Sequence, residues 1–179
     1  KYYNKGILLN SIISEFINEY KYNKNNIKNN KNNINEIEIY LNVDIKDKKQ
    51  KIYFLENYNI FQENEKKHNI QNYYNEDLKE LNAELYINNK RIKFKKYFEP
   101  QNDGKYKISI KFSKNFTNYS YMFAGCKNII NINFVSFNTK YITNMEYMFY
   151  KCENLRHINI FSFNIKNVTN MNYMFYGCS

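Results

Sequence analysis

The sequence predicts an α+β protein in which a small β-rich domain is followed by a solenoid of stacked repeats with parallel strands. Three observations support this prediction. The last third of the chain contains an internal repeat, several short segments between residues 35 and 112 alternate apolar and polar residues, and one segment near the N terminus has helical periodicity. The repeat is the strongest of the three, because it fixes which residues must be equivalent in the fold.

The repeat is marked by a Tyr-Met-Phe triplet that precedes each cysteine. The cysteines are Cys126, Cys152 and Cys178, so the step is 152 − 126 = 26 residues and again 178 − 152 = 26. Ile132-x-Phe134 and Ile158-x-Ile160 alternate with period two, which predicts a short strand with one buried face in each copy. The triplet region suits a turn or a single helical turn. A unit this short cannot bury its apolar residues alone, so neighbouring copies are expected to stack.

The repeat resembles the BspA-like leucine-rich repeats. The resemblance covers about residues 113–179 and rests on the pattern Cys-x-Asn-[Ile/Leu]-x-x-Ile-x-[Phe/Ile]-x-x-Phe-Asn-x-x-x-[Ile/Val]-Thr-Asn-Met-x-Tyr-Met-Phe. It implies a leucine-rich-repeat fold. It also implies adhesion or the binding of host and matrix proteins, which favours a cell-surface location, although an intracellular scaffold is the other interpretation. The family has no catalytic residues to transfer to this chain.

Four segments are expected along the chain. Residues 1–20 predict an amphipathic helix because Leu8, Ile12 and Phe16 follow i+4 spacing. Residues 21–34 are rich in Asn and Lys and predict a linker, residues 35–112 a small α+β capping domain, and residues 113–179 a truncated solenoid. The chain begins without Met and ends within a repeat, so it is interpreted as a fragment whose last copy would be covered by further repeats or a cap.

The predicted capping domain has the order ββ, short helix, βββ, for which a β-grasp-like arrangement is the candidate topology. The first two strands are 37–43 and 51–55, joined by a turn near Asp47, and the helix is 75–81. Asn88-Asn89 predicts a hairpin turn between 84–87 and 91–97, because Asn tolerates positive φ. Apolar and polar residues alternate over 106–112 and predict the last strand of this domain.

Composition excludes several classes of function. The net charge of +10 is spread along the chain, and the abundance of Asn, Lys, Ile and Tyr matches AT-rich codons. The cysteines lack paired spacing and His68 and His157 are the only histidines, so zinc is not expected and the thiols should be free and buried. Without a nucleophile motif or a phosphate-binding loop, neither an enzyme nor a cofactor is predicted. No apolar run approaches the ~18 residues of a membrane span.

Two candidate binding sites remain. The first is the concave strand face of the solenoid, which would present a protein partner with the residues between the buried positions of two copies: Asn131, Asn133, Val135, His157, Asn159 and Phe161. The second, less favoured, is the basic hairpin, for nucleic acid or an acidic partner, formed by Lys90, Arg91, Lys93, Lys95 and Lys96. The leading hypothesis is therefore a protein-binding module with an unidentified partner.

Overall fold

The computed structural model describes residues 34–57, 83–113, 115–160 and 163–178. The helix predicted over residues 1–20, nearly all of the predicted linker, the helix predicted over 75–81, and His68 lie outside these residues. The strands are β1 (Asn35–Val43), β2 (Ile52–Tyr53), β3 (Ala83–Ile87), β4 (Lys90–Ile92), β5 (Tyr97–Phe98), β6 (Gly104–Phe112), β7 (Ile129–Ser136) and β8 (His157–Asn159). A 3-10 turn, Ile45–Asp47, follows β1.

Six strands form one mixed sheet in the order β4-β3-β6-β1-β7-β8, and β2 pairs with β5 in a separate two-stranded sheet. All pairs in the large sheet are antiparallel except β7 with β8. The strand β1 is central, because Ile39 lies opposite Ile108 of β6 on one side and Ile132 of β7 on the other. Its alternating residues suit this position: from Ile37 to Val43 one face of β1 is apolar and buried, and the residues between them are polar or aromatic.

The predicted fold class is wrong. The described residues are nearly all β, with 38% in strands and 3% in helix, and they form a mixed sheet in place of an α+β domain followed by a leucine-rich-repeat solenoid. The expected hairpin of 37–43 with 51–55, and with it the β-grasp-like arrangement, does not form. Both edges of β1 are occupied by β6 and β7, so β2 pairs with β5. The sheet therefore continues across the boundary expected at 112/113.

The hairpin predicted at Asn88-Asn89 is confirmed. Strands β3 and β4 pair antiparallel with Ile87 opposite Lys90, and Asn88 and Asn89 have φ values of 48° and 65°. Positive φ at both central residues gives the turn the twist that matches its flanking strands.

The repeat copies contact each other through their Tyr-Met-Phe regions, which form successive turns. We call residues 117–126, 143–152 and 169–178 the turn stack. Its units are joined by backbone bonds across 25 to 27 positions, such as Tyr121 N–H to Glu146 O at 3.1 Å and Thr169 N–H to Thr143 O at 2.8 Å. Within each unit, i to i+3 bonds tighten the turns, as from Met122 N–H to Tyr119 O. The bridges Asn118 with Asn144 and Asn144 with Asn170 are parallel.

The sheet and the turn stack share one hydrophobic core. Ile39, Ile108 and Ile132 of the sheet belong to the same buried cluster as Phe123 and Phe149 of the stack. The three cysteines are buried free thiols, as predicted. None of the described segments forms a helix long and apolar enough to cross a bilayer.

Candidate functional site

The six-stranded sheet has two unlike faces. One face packs into the core, and the other, which we call the open face, carries polar side chains at the alternate positions of every strand. The open face consists of Glu84 and Tyr86 of β3, Arg91 of β4, Lys107, Ser109 and Lys111 of β6, Glu36, Glu38 and Tyr40 of β1, Asn131 and Asn133 of β7, and His157 and Asn159 of β8.

One row of these side chains crosses all six strands. The register places Arg91 opposite Tyr86, Tyr86 opposite Ser109, and Ser109 opposite Glu38. The row continues from Glu38 to Asn133 and from Asn133 to Asn159. Because neighbouring strands lie about 4.8 Å apart, the five steps extend the row over roughly 24 Å.

The centre of the open face is a hydrogen-bonded network around Glu38. Lys107 Nζ lies 2.5 Å from Glu38 Oε1, and the Tyr40 hydroxyl donates to Glu38 Oε2 at 3.1 Å. Asn133 Nδ2 donates to the same oxygen at 3.5 Å, and Asn159 Nδ2 donates to Asn133 Oδ1 at 2.8 Å. The network joins β6, β1, β7 and β8, so it holds side chains from both the antiparallel and the parallel parts of the sheet.

The contacts within this network shift the pKa values of its three titratable groups. Burial raises the pKa of Glu38, but the bonds from Lys107, Tyr40 and Asn133 outweigh that effect and leave the pKa below its ordinary value. The bond to Glu38 raises the pKa of Lys107, and burial together with the Glu38 bond raises the pKa of Tyr40. At neutral pH the carboxylate is therefore ionised, the amine is protonated, and the phenol remains a donor.

The structure brings together four of the six residues predicted for the strand face. Asn131 lies opposite His157 and Asn133 opposite Asn159, all on the open face. Val135 lies at a β-bulge between β1 and β7 and is 50% exposed. Phe161 is outside the described residues. This face belongs to the mixed sheet, so its description as the concave face of a solenoid is corrected.

Sequence reasoning missed the part of the open face that β1, β3 and β6 supply. The signal was present, since the polar residues of β1 and β6 alternate with the apolar residues that predicted these strands. Recognising it required the strand order, because only the pairing of β1 with β7 joins these residues to Asn131 and Asn133.

The basic hairpin is partly neutralised by carboxylates. Arg91 pairs with Glu84 at 3.1 Å, and Lys96 pairs with Glu56, whose side chain is fully buried. Lys90, Lys93 and Lys95 remain exposed, and Lys95 Nζ lies 5.7 Å from the centre of the Tyr97 ring. Two of the five cations are thus already paired, which reduces the charge available to bind phosphates.

The described segments contain one histidine, His157, and three buried cysteines. His157 is exposed on edge strand β8, and no group of three or more His, Cys, Asp or Glu among the described segments is arranged to hold a metal ion. Burial raises the pKa of Cys126 and of Cys152, so both thiols stay protonated and unreactive. The Cys152 thiol donates to Phe123 O at 3.1 Å.

Comparison with known proteins gives one match. Residues 92–179 match the family described as "Mycoplasma protein of unknown function, DUF285", which covers the turn stack together with β5 to β8. No curated protein and no solved structure matches the chain. The identification as a BspA-like leucine-rich-repeat protein is therefore wrong, and the adhesive role and cell-surface location that it implied lose their basis.

Proposed function

We propose that this chain is a protein-binding module and that the open face of the six-stranded sheet is its contact surface. The observation that carries the proposal is the row from Arg91 to Asn159, in which hydrogen-bonding side chains cross all six strands. A surface of this kind binds by matching a partner's donors and acceptors, and the proposal includes no catalytic step.

The chemistry of the face favours a protein over a nucleic acid. Its cations are paired with its anions: Lys107 with Glu38 at 2.5 Å and Lys111 with Glu36 at 3.1 Å. A polyanion would have to displace these carboxylates, whereas a polypeptide surface supplies both signs of charge and both donors and acceptors. Tyr40 adds a rigid aromatic ring with a polar end, a combination enriched at protein interfaces.

The preorganised network supports binding energetically. Since Glu38 is held by three donors, its side chain is already in one position before a partner arrives. Each side chain that need not be immobilised on binding saves roughly 0.5–1.5 kcal/mol of lost conformational entropy. His157 and Val135 are exposed at the margin of the network, where they can contact a partner without disturbing it.

The test compares a variant of the open face with a variant of the hairpin. Asn131→Asp combined with His157→Asp adds two negative charges to the face without touching the core. Lys93→Glu combined with Lys95→Glu inverts two exposed charges of the hairpin. Each chain is immobilised, exposed to extract from cells that produce the protein, and the captured proteins are quantified by mass spectrometry. A partner of the open face is expected to fall at least about tenfold on the first variant and to persist on the second.

Circular dichroism of both variants should match the parent, because all four positions are outside the core. If capture is lost only on the hairpin variant, and falls steeply as salt is raised, the basic hairpin is the binding site and the proposal is wrong.

A further inference from the structure

Strand β4 leaves backbone groups unused at one edge of the large sheet. It is the last strand on its side, and no described strand pairs with its outer edge. Successive residues of an antiparallel strand direct their N–H and C=O groups alternately to the two neighbouring strands. Asn88 N–H donates to Lys107 O of β6 at 2.8 Å, so Ile87 directs its groups to β4. Its partner there is Lys90, and the backbone groups of Arg91 therefore point out of the sheet.

The residues that follow β4 continue this edge. We call residues 91–95 the basic edge. Its cationic residues are exposed, whereas the apolar residues between them, Ile92 and Phe94, are partly buried and pack against the core. No described backbone group bonds to the N–H or C=O groups of Lys93 or Lys95. The basic edge thus combines unused backbone groups with alternating cationic and apolar side chains.

Much of the charge of the basic edge is uncompensated. Lys93 forms no ion pair with any described residue, and Lys95 Nζ lies 5.7 Å from the centre of the Tyr97 ring. Arg91 pairs with Glu84 at 3.1 Å, but its side chain remains 66% exposed. A segment that lies along this edge therefore meets positive charge at alternate positions, and carboxylates are the side chains that complement it.

The sheet already contains one strand pair with this complementary chemistry. Strand β6 carries Lys107 and Lys111 on the open face, and β1 lies antiparallel beside it with Glu36 and Glu38. Lys111 pairs with Glu36 at 3.1 Å and Lys107 with Glu38 at 2.5 Å. The apolar residues between these positions lie opposite each other on the core side of the two strands. An acidic strand beside a basic strand is thus an arrangement that this sequence forms.

We propose that the basic edge binds an extended segment of a partner protein in which acidic residues alternate with apolar residues. The segment adds to the sheet as an antiparallel strand beside β4. Its carboxylates face the cations of the edge, and its apolar residues lie beside Ile92 and Phe94. The acidic residue opposite Arg91 exchanges backbone hydrogen bonds with it. Backbone bonds supply affinity in this mode of recognition, and the alternating side chains supply selectivity.

The described part of a second copy does not supply this segment. Two basic edges side by side place cations against cations, and charged residues on an edge strand disfavour such pairing. The acidic strand β1 is already bonded on both sides, to β6 and to β7. These two observations favour an acidic segment of a partner protein over a second copy of the sheet.

The probe is the fluorescein-labelled peptide Thr-Glu-Ile-Glu-Val-Glu-Ile-Thr, titrated with the complete 179-residue chain and followed by fluorescence anisotropy. Saturable binding is expected. Lys93→Glu combined with Lys95→Glu should weaken it by at least about tenfold, because two attractive cross-strand pairs become repulsive. The matched control, Lys127→Glu combined with Lys166→Glu, makes the same change of charge at two exposed lysines outside the edge. At physiological ionic strength, where distant charges are screened, its affinity should stay within about twofold of the parent.

Backbone methylation of the peptide separates strand addition from attraction between charges. In the antiparallel arrangement, the N–H groups of the Glu residues point to β4 and those of the Ile and Val residues point away. N-methylation of the Glu residues should therefore weaken binding by at least about tenfold, and N-methylation of the Ile and Val residues should have a much smaller effect. Hydrogen exchange at the amide of Arg91 should slow when the unmethylated peptide binds.

The circular dichroism of both lysine variants should match the parent, because none of the four lysines belongs to the core. The proposal is overturned if the peptide shows no saturable binding, if the two lysine variants bind it equally, or if the two methylated peptides bind alike. A single-stranded oligonucleotide that binds more tightly than the peptide and is lost on the Lys93 and Lys95 variant would make the edge a nucleic-acid site instead. The measurement uses a purified peptide, so it does not depend on whether the open face binds a partner.

Discussion

Side chains are arranged differently in the sheet and in the turn stack. In the sheet, neighbouring residues along a strand point to opposite faces, so Ile39 is buried while Glu38 and Tyr40 lie on the open face. In the stack, equivalent residues of successive units lie on one another. The rings of Tyr121 and Tyr147 are 4.9 Å apart with an interplanar angle of 8°. Alternation of residues along each strand thus gives the sheet two different faces. Repetition of one unit instead gives the turn stack columns of equivalent side chains, with one end at each side of the stack.

The difference also appears in backbone conformation. Tyr121, Tyr147 and Tyr173 all have positive φ, from 54° to 60°, a region that a bulky side chain occupies at a cost of roughly 1–2 kcal/mol. Asn tolerates this region better and is abundant in the chain, yet Tyr is present at this position in every unit. Stacking of adjacent rings contributes about 0.5–1.5 kcal/mol per pair, enough to offset much of the backbone cost.

The largest expected effect comes from removing the middle ring of the phenylalanine ladder. Phe149 is fully buried between Phe123 and Phe175, with centroid distances of 5.4 and 5.2 Å. Phe149→Ala should lower the free energy of unfolding by about 3–5 kcal/mol, because it leaves a cavity in the core that the sheet and the stack share. Urea unfolding followed by circular dichroism measures the loss.

Phe175→Ala is the matched control for this prediction, since Phe175 is half-buried and, among the described residues, its ring stacks only on that of Phe149. Its effect should be less than half as large. Both variants should unfold in a single transition, as a shared core requires. Two separate transitions for Phe149→Ala would show that the sheet and the stack are independent units.

A smaller effect is expected where β1 contacts the segment that leads from β7 to the second unit of the turn stack. Asn35 begins β1 and is 1% exposed, and its Oδ1 accepts a bond from Asn138 N–H at 2.8 Å. Asn35→Ala leaves that N–H without its acceptor and should cost about 1–3 kcal/mol in thermal or urea unfolding. Ser136→Ala, which removes the exposed bond to Ile34 O nearby, should cost about 0.5 kcal/mol or less. Equal losses would mean that the buried bond between Asn35 and Asn138 contributes no more than the exposed one.

Local sequence patterns predicted individual strands and one turn, but they did not predict the order of the strands in the sheet. The alternation of 37–43 and 106–112 and the turn at Asn88-Asn89 all correspond to observed elements. The mixed sheet was not predicted, because alternation says which face of a strand is buried but not which strand lies beside it. β1 could pair with the nearby segment 51–55 or with distant strands, and β6 and β7 offer longer apolar faces.

In the candidate site, too, the sequence predicted only the contacts between residues that the repeat relates. Periodicity placed Asn131 and His157 side by side, since residues one repeat apart lie opposite each other in β7 and β8. Glu38 and Lys107 are 69 positions apart in the sequence, and no repeat relates them. Their contact depends on the central position of β1, which the sequence pattern leaves undetermined.

The smallest expected effect is a pH dependence of stability that arises from the network around Glu38 on the open face. No ion pair among the described residues involves the turn stack. The folded-state pKa of Glu38 lies below its ordinary value of 4.5. Its ionisation therefore stabilises the fold fully above that value, and the contribution is lost as pH falls through the folded-state pKa. Glu38→Gln removes this contribution. The stability difference between the parent and this variant, about 1 kcal/mol or less at neutral pH, should shrink when urea unfolding is repeated near pH 3. A difference that stays constant with pH would mean that Glu38 contributes through packing alone, and the network at the centre of the open face would then have no electrostatic role.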